Sequence, residues 1–215
     1  MSNGREEARF ARLLANPTVR KIRDALGGRP AIAAPDEEGV RRAAVALIFR
    51  LAEDDDAVEL LLIKRAEYQG DPWSGQIAFP GGREEAGDSS LTETAIRETR
   101  EETGIDLSRD GMMLGILDDL RPQRISMPAI VVRPFVAILD AREPLELSSE
   151  VALAFWVPFG ELARTDSWQS DTVFARGVQI NARVFRHHDH VVWGMTERIM
   201  TQLLTLIEDG GPRPC

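Results

Sequence analysis

The sequence predicts a mixed α/β protein, and three observations carry that reading. Apolar strand candidates recur at residues 43–51, 58–64, 113–117 and 130–139. A charged helix candidate, bounded by Gly82 and Gly104, lies between the second and third of them, and an amphipathic helix candidate from Met195 to Ile207 closes the chain. Strands interleaved with helices in this order build a sheet covered by helices.

Residues 4–26 place Phe10, Leu13, Leu14, Val19, Ile22 and Leu26 between charges at helical spacing, which predicts an N-terminal helical arm. Gly27-Gly28-Arg29-Pro30 and Ala34-Pro35-Asp36 then break the pattern. The expected organisation is therefore an arm and linker over residues 1–35, followed by one domain over 36–210. Glu53-Asp54-Asp55-Asp56 reads as a solvated hairpin turn between the first two strands. Gln76 to Phe79 forms a short apolar strand ahead of a glycine pair, and Phe155-Trp156-Val157-Pro158 opens another. Thr172 to Ala175 and Ala182 to Phe185 are weaker strand signals.

Composition excludes several functional classes. The 35 acidic and 26 basic residues leave a net charge of −9, so a protein built to grip nucleic acid through its phosphates is not expected. Cys215, the single cysteine, offers neither an internal disulfide nor a nucleophile in the body of the chain, which suits a reducing compartment. The polar stretch Met1 to Glu7 lacks the apolar core of a signal peptide, and nothing approaches the roughly 18 apolar residues of a membrane span. A cytoplasmic protein that does not enter a membrane is expected.

The chemistry concentrates between Gly81 and Ile105. Residues three and four apart share a helix face, so Glu98 lies beside both Glu101 and Glu102, with Arg97 one position round. Such spacing predicts three carboxylates converging on a small volume, where like charges raise one another's pKa unless a cation neutralises them. Mg²⁺ or Mn²⁺ is the natural cation, because such hard ions take oxygen ligands, Mg²⁺ typically from a few carboxylates together with substrate phosphates. An acidic helix run also reads as a solvated face laced with surface ion pairs. The context favours the metal reading: the Gly81-Gly82 pair lets backbone approach a ligand closely, and Gly104 stands where a left-handed C-cap is expected.

This segment resembles the Nudix box, GX5EX7REUXEEXGU with U aliphatic. Gly82 supplies the first glycine, Arg97-Glu98 the RE pair, Glu101-Glu102 the EE pair and Gly104-Ile105 the ending. Two positions depart from the pattern: Asp88 stands for the first Glu, with eight residues instead of seven before Arg97, and Thr99 stands for the aliphatic U. The expansion and the Asp are similar to the coenzyme A pyrophosphatase branch of that superfamily. So is the upstream run of Leu61-Leu62-Ile63-Lys64-Arg65-Ala66, Gly75 and Phe79-Pro80-Gly81-Gly82, although Asp71 occupies a place where that branch carries Arg. Exchanging a cation for a carboxylate opposes phosphate binding.

The resemblance implies a Nudix fold, a mixed sheet sandwiched between helices, and hydrolysis of a diphosphate joining a nucleoside to another group. It implies metal held by Glu98, Glu101, Glu102 and the carbonyl of Gly82, with Arg97 orienting a helix carboxylate. The general base differs within the family between a box glutamate and one from a later loop, for which Glu150 after Leu147-Ser148-Ser149 is the candidate. Lys64 and Arg65 are candidates for substrate phosphate, Gly81 and Gly82 for close backbone approach, and Trp73 for stacking on a base.

The stretch Asp118 to Pro128, with Arg121, Gln123 and Arg124, reads as a lip over the substrate, and His187, His188 and His190 read as a surface turn. A second copy of the chain, paired through the arm, is a candidate partner. Three functional classes stay open: a hydrolase of coenzyme A, ADP-ribose, NADH or another nucleotide; a non-catalytic nucleotide-sensing domain; and a protein whose acidic helix is merely solvated.

Overall fold

The computed structural model describes residues 9–53, 57–71, 73–122, 129–140, 144–175 and 177–209. The predicted turn at residues 54–56 and most of the expected lip, residues 123–128, lie outside them.

Two short helices open the described chain, α1 (Ala11–Ala15) and α2 (Pro17–Gly27), where the periodicity predicted one. The interruption has a local cause. Asn16 is extended and caps α2 by accepting the N–H groups of Thr18 and Val19, while Pro17 at the first helical position has no N–H to continue a ladder.

The main sheet has seven strands: β1 (Arg41–Leu51), β2 (Val58–Arg65), β3 (Ile77–Ala78), β4 (Gly81–Arg83), β5 (Gly111–Ile116), β6 (Ile130–Leu139) and β7 (Val151–Pro158). β1 is central. It runs parallel to β6, from Arg41 opposite Ile130 to Phe49 opposite Ile138, and antiparallel to both β4 and β2 on its other edge. β5 pairs with β6, and β2 pairs with β3 and β7, so the sheet is mixed as expected.

Helices cover both faces, and the two-residue period of the strands sorts the side chains between them. Leu47 and Phe49 of β1, with Leu60 and Leu62 of β2, join Phe10, Leu13, Val19, Ile22 and Leu26 from α1, α2 and the turn before them, and Ile199, Met200 and Leu203 from the last helix, α6 (Met195–Glu208). Ala44, Ala46 and Ile48 of β1 face the other way, toward Leu91 and Ala95 of α3 (Leu91–Thr103) and Leu107 of α4 (Leu107–Asp110). Strands covered on both sides read as near-continuous apolar runs, which is why β1 and β6 stood out in the sequence.

A second sheet follows helix α5 (Phe159–Ala163) and a short 3₁₀ turn (Thr165–Ser167). It is a three-stranded antiparallel layer of β8 (Trp168–Ala175), β9 (Val178–His187) and β10 (His190–Val192). The ring of Phe155 on β7 stacks on His187 and His190, at centroid distances of 5.8 and 4.8 Å, and ties this layer to the edge of the main sheet. The histidines thus sit at a hairpin, with His188 and Asp189 forming its turn.

Candidate active site

Helix α3 begins where Ser90 accepts the Glu93 N–H, and it ends at Gly104, whose φ of 76° is the left-handed cap expected from the sequence. Leu91, Thr94, Ala95 and Thr99 bury one face, where Thr99 holds the aliphatic position with its hydroxyl buried and without a hydrogen-bond partner among the described residues. Glu98 and Glu102 fall on that same side of the helix, and Arg97 and Glu101 lie on the flank beside them.

Arg97 organises that flank. Its Nε and Nη2 donate to the two oxygens of Asp88, at 2.9 and 3.0 Å, and Nη2 also donates to the Arg83 carbonyl at 3.0 Å. Nη1 donates to Glu98 Oε1 at 3.0 Å and to Glu101 Oε2 at 3.1 Å.

The three box glutamates sit in different environments. Glu102 is 3% exposed, accepts the Gly81 N–H at 2.8 Å, and has Arg65 Nη1 3.8 Å from its other oxygen. Burial pushes its carboxyl up to about 7; the Gly81 hydrogen bond and Arg65 oppose the shift, while the charges of Glu98 and Glu150 add to it. Glu98, 15% exposed, is also raised by burial, against the pull of Arg97 and with further upward pressure from Glu101 and Glu150. Glu101 is 55% exposed and turned toward Arg97. Three carboxylates converging on one point was the expectation. Among the described residues no group of three acidic or histidine side chains has that arrangement, because Arg97 draws two of the three glutamates to itself.

The two glycines serve different neighbours. A Cβ on Gly81 would stand 2.2 Å from the Ala44 carbonyl oxygen, so its close approach is to β1 rather than to a ligand, and its φ of 149° is a conformation that side chains disfavour. A Cβ on Gly82 would stand 2.3 to 2.5 Å from the carboxylate atoms of Glu98. Gly82 therefore leaves the space into which Glu98 folds.

Glu150 reaches the same region through backbone ties. The Glu146 and Ser148 N–H groups donate to the carbonyls of Thr103 and Glu102, holding the loop before β7 against the end of α3. The Glu150 carbonyl accepts the Ala66 N–H at 2.8 Å, beside the β2–β7 pairing of Arg65 with Val151. Its charge acts on both Glu98 and Glu102.

Lys64 and Arg65 separate at the end of β2. Arg65 turns to Glu102 and to Asp71 Oδ2, the latter at 3.2 Å, whereas Lys64 lines a cleft with Asp71, Gln76, Phe174, His190 and Trp193. Trp73, the candidate for stacking on a base, is half-buried and packs against the main core. Trp193 is the tryptophan that reaches the cleft. Sequence reasoning missed it, and the signal was its position one residue after the β9–β10 hairpin. Arg121, in the expected lip, pairs with Glu37 and accepts Arg198 at its carbonyl.

A mixed sheet between helices, with a glycine pair feeding an Arg-Glu and Glu-Glu helix, is the arrangement expected of a Nudix fold. Residues 40–177 match the family model of the NUDIX domain, and the chain belongs to that family. Among curated proteins it is 30% identical to the human mitochondrial coenzyme A diphosphatase NUDT8, over 97% of this chain and 80% of that protein. It is 32% identical to an uncharacterized Nudix hydrolase, NudL, of Photorhabdus laumondii, over 69% of this chain and 77% of that one. Among solved structures, a MutT/nudix family protein from Enterococcus faecalis shares the fold with a TM-score of 0.55 at 18% identity, covering 95% of this chain and 74% of that one. Among the described residues no helix is long and apolar enough to cross a membrane.

Proposed function

We propose that this enzyme is a divalent-metal-dependent hydrolase that cleaves the diphosphate of a nucleoside diphosphate linked to another group, with coenzyme A or a derivative as the leading substrate. One observation carries the reading: Glu98 and Glu102 are both largely buried at the glycine pair, Glu98 in the space Gly82 leaves and Glu102 on the Gly81 N–H, so their ionised forms call for a cation. The human relative's name supports the choice of coenzyme A, at 30% identity over nearly the whole chain.

The donor set fits a hard ion, since it offers only oxygen atoms and a glycine whose missing side chain leaves Glu98 room. Glu98, Glu101, Glu102 and the Gly82 carbonyl would hold Mg²⁺ or Mn²⁺. Bound there, the ion supplies charge to phosphoryl oxygens and lowers the pKa of a water. Arg97 fixes the direction of Glu98 and Glu101, and Asp88 fixes Arg97. Glu150, exposed at the same end of the sheet, is the candidate to take the proton from the attacking water. Arg65 keeps a cation beside Glu102, where negative charge on the substrate requires one.

The test is incubation with Mg²⁺ or Mn²⁺ and coenzyme A, ADP-ribose, NADH, a dinucleoside polyphosphate and nucleoside triphosphates, with products identified by mass spectrometry. Phosphopantetheine and adenosine 3′,5′-bisphosphate are expected from coenzyme A. Cleavage of another compound alone reassigns the substrate, and silence across the panel overturns the hydrolase reading in favour of a nucleotide-sensing domain.

A further inference from the structure

The end of β2 divides the site in two. Arg65 reaches the carboxylates of α3, and Lys64, one residue earlier and so on the other face of the strand, lines a cleft of about 430 Å³. Gln76 and Ile77 also line the cleft, and Arg65 joins it to the carboxylates, with Nη2 donating to Asp71 Oδ2 at 3.2 Å and Nη1 standing 3.8 Å from Glu102 Oε1. A molecule whose diphosphate lies beside Glu98 and Glu102 can therefore pass one arm around the strand end into the cleft.

We propose that this cleft receives the nucleoside arm of the substrate, and that Asp71 makes it selective for an arm carrying no additional phosphate. The inference rests on the substrate class proposed above.

Size and lining suit a nucleoside. The volume falls within the roughly 300–1,000 Å³ of small-molecule sites. Phe174 of β8 is 73% exposed while contributing to the cleft wall, and Trp193 contributes a second ring, so aromatic faces are offered to a planar base.

Charge sets the selectivity. Among the described lining residues one lysine, Lys64, stands against two aspartates, Asp71 and Asp189. Asp71 cannot easily turn away. Its Oδ1 accepts the Trp73 N–H at 3.0 Å and its Oδ2 accepts Arg65 Nη2 at 3.2 Å. It thereby also offsets Arg65. With Arg65 counted, Lys64 and Arg65 balance Asp71 and Asp189, so a phosphate on the bound ribose would find no surplus of positive charge, whereas free ribose hydroxyls would meet carboxylate acceptors.

Calorimetry with 5′-AMP and with adenosine 3′,5′-bisphosphate reads this directly, alongside kcat/KM for coenzyme A and for its form lacking the ribose 3′-phosphate. Both readouts should favour the ligand without the extra phosphate by on the order of tenfold. Asp71→Asn keeps an oxygen for the Trp73 N–H while removing the charge, and should shrink that preference severalfold. Asp189→Asn, on a different loop, should shrink it independently. Equal affinities, a preference that neither variant changes, or no binding of either nucleotide would overturn the proposal. The expected binding order in a protein that hydrolyses no diphosphate upholds the cleft and removes the hydrolase reading; equal hydrolysis of the two coenzyme A forms does the reverse.

Discussion

Asp88 holds Arg97 through two parallel hydrogen bonds, Nε to Oδ1 at 2.9 Å and Nη2 to Oδ2 at 3.0 Å, with the carboxylate only 4% exposed. The same Asp88 oxygen, Oδ2, accepts the Thr94 hydroxyl and the Glu85 N–H, so the arginine is clamped from a rigid loop. Arg97 in turn sets where Glu98 and Glu101 point. A position that departs from the family pattern in both residue type and spacing is therefore the anchor of the charged network.

Asp88→Asn should lower kcat/KM by roughly 10- to 100-fold, the usual effect of loosening a group that orients ligands. It should also lower stability by about 1–3 kcal/mol through the lost charge-assisted hydrogen bonds. The Arg97 guanidinium holds the Asp88 carboxyl well below the ordinary carboxylate range. Its stabilisation is thus present above the unfolded aspartate pKa of about 3.9 and fades as pH falls through the lower folded value. Denaturant titrations of both proteins at neutral and acid pH check this: the difference between them should narrow in acid.

Gly81 and Gly82 should fail differently when each becomes alanine. In Gly81→Ala the new Cβ meets the Ala44 backbone at 2.2 Å and the backbone angle is unfavourable, so the β1–β4 pairing must open and the melting temperature should drop steeply. In Gly82→Ala the Cβ meets the end of a side chain, Glu98, which can swing aside. That variant should fold nearly as well as the parent yet lose activity by on the order of 100-fold, because a proposed metal ligand is displaced. Circular dichroism melts and steady-state kinetics separate the two cases.

The central strands, α3 and its left-handed cap were legible because burial on both sheet faces writes long apolar runs, and because capping needs particular residues at particular places. The break at Asn16 was missed because the apolar stripe continues across it; the Asn-Pro pair was the available sign. β8 and β9 appeared only as fragments, since a thin layer with one solvated face has a weaker pattern. The box residues were legible as a group, but their environments were not. Helical spacing places Glu98, Glu101 and Glu102 near one another, while Arg97, Gly81 and Arg65 decide how each is held, and two of those partners, Gly81 and Arg65, come from other elements.

Glu101→Gln should reduce turnover by at least roughly 100-fold with little change in stability. The side chain is 55% exposed, so its loss leaves no buried partner stranded, whereas a metal ligand or base of this kind contributes about 10²–10⁴-fold. Glu150→Gln should also reduce kcat, and its kcat should lose the acid limb that ionisation of a base gives to the pH profile. Near-normal turnover in Glu101→Gln would remove that residue from the site, and an unchanged profile in Glu150→Gln would return the role of base to a box glutamate.

Glu102 makes the metal-free protein respond to pH in the direction opposite to most carboxylates. Burial raises its folded value to about 7, well above an unfolded glutamate near 4.3. Between these values the folded state holds a proton that the unfolded state has released, so stability falls as pH rises, by on the order of 3 kcal/mol across the window. Thermal melts in chelator should therefore show the parent losing stability relative to Glu102→Gln from pH 4.5 to 7, a relative loss that excess Mg²⁺ or Mn²⁺ removes, because a cation favours the ionised form. Glu102→Gln, which keeps an acceptor for the Gly81 N–H, should flatten the metal-free profile and lose most of the added stability that metal confers. A difference between parent and Glu102→Gln in chelator that does not fall over this range would mean that Glu102 is ionised without a cation, and the case for a metal at this carboxylate would lose its electrostatic basis.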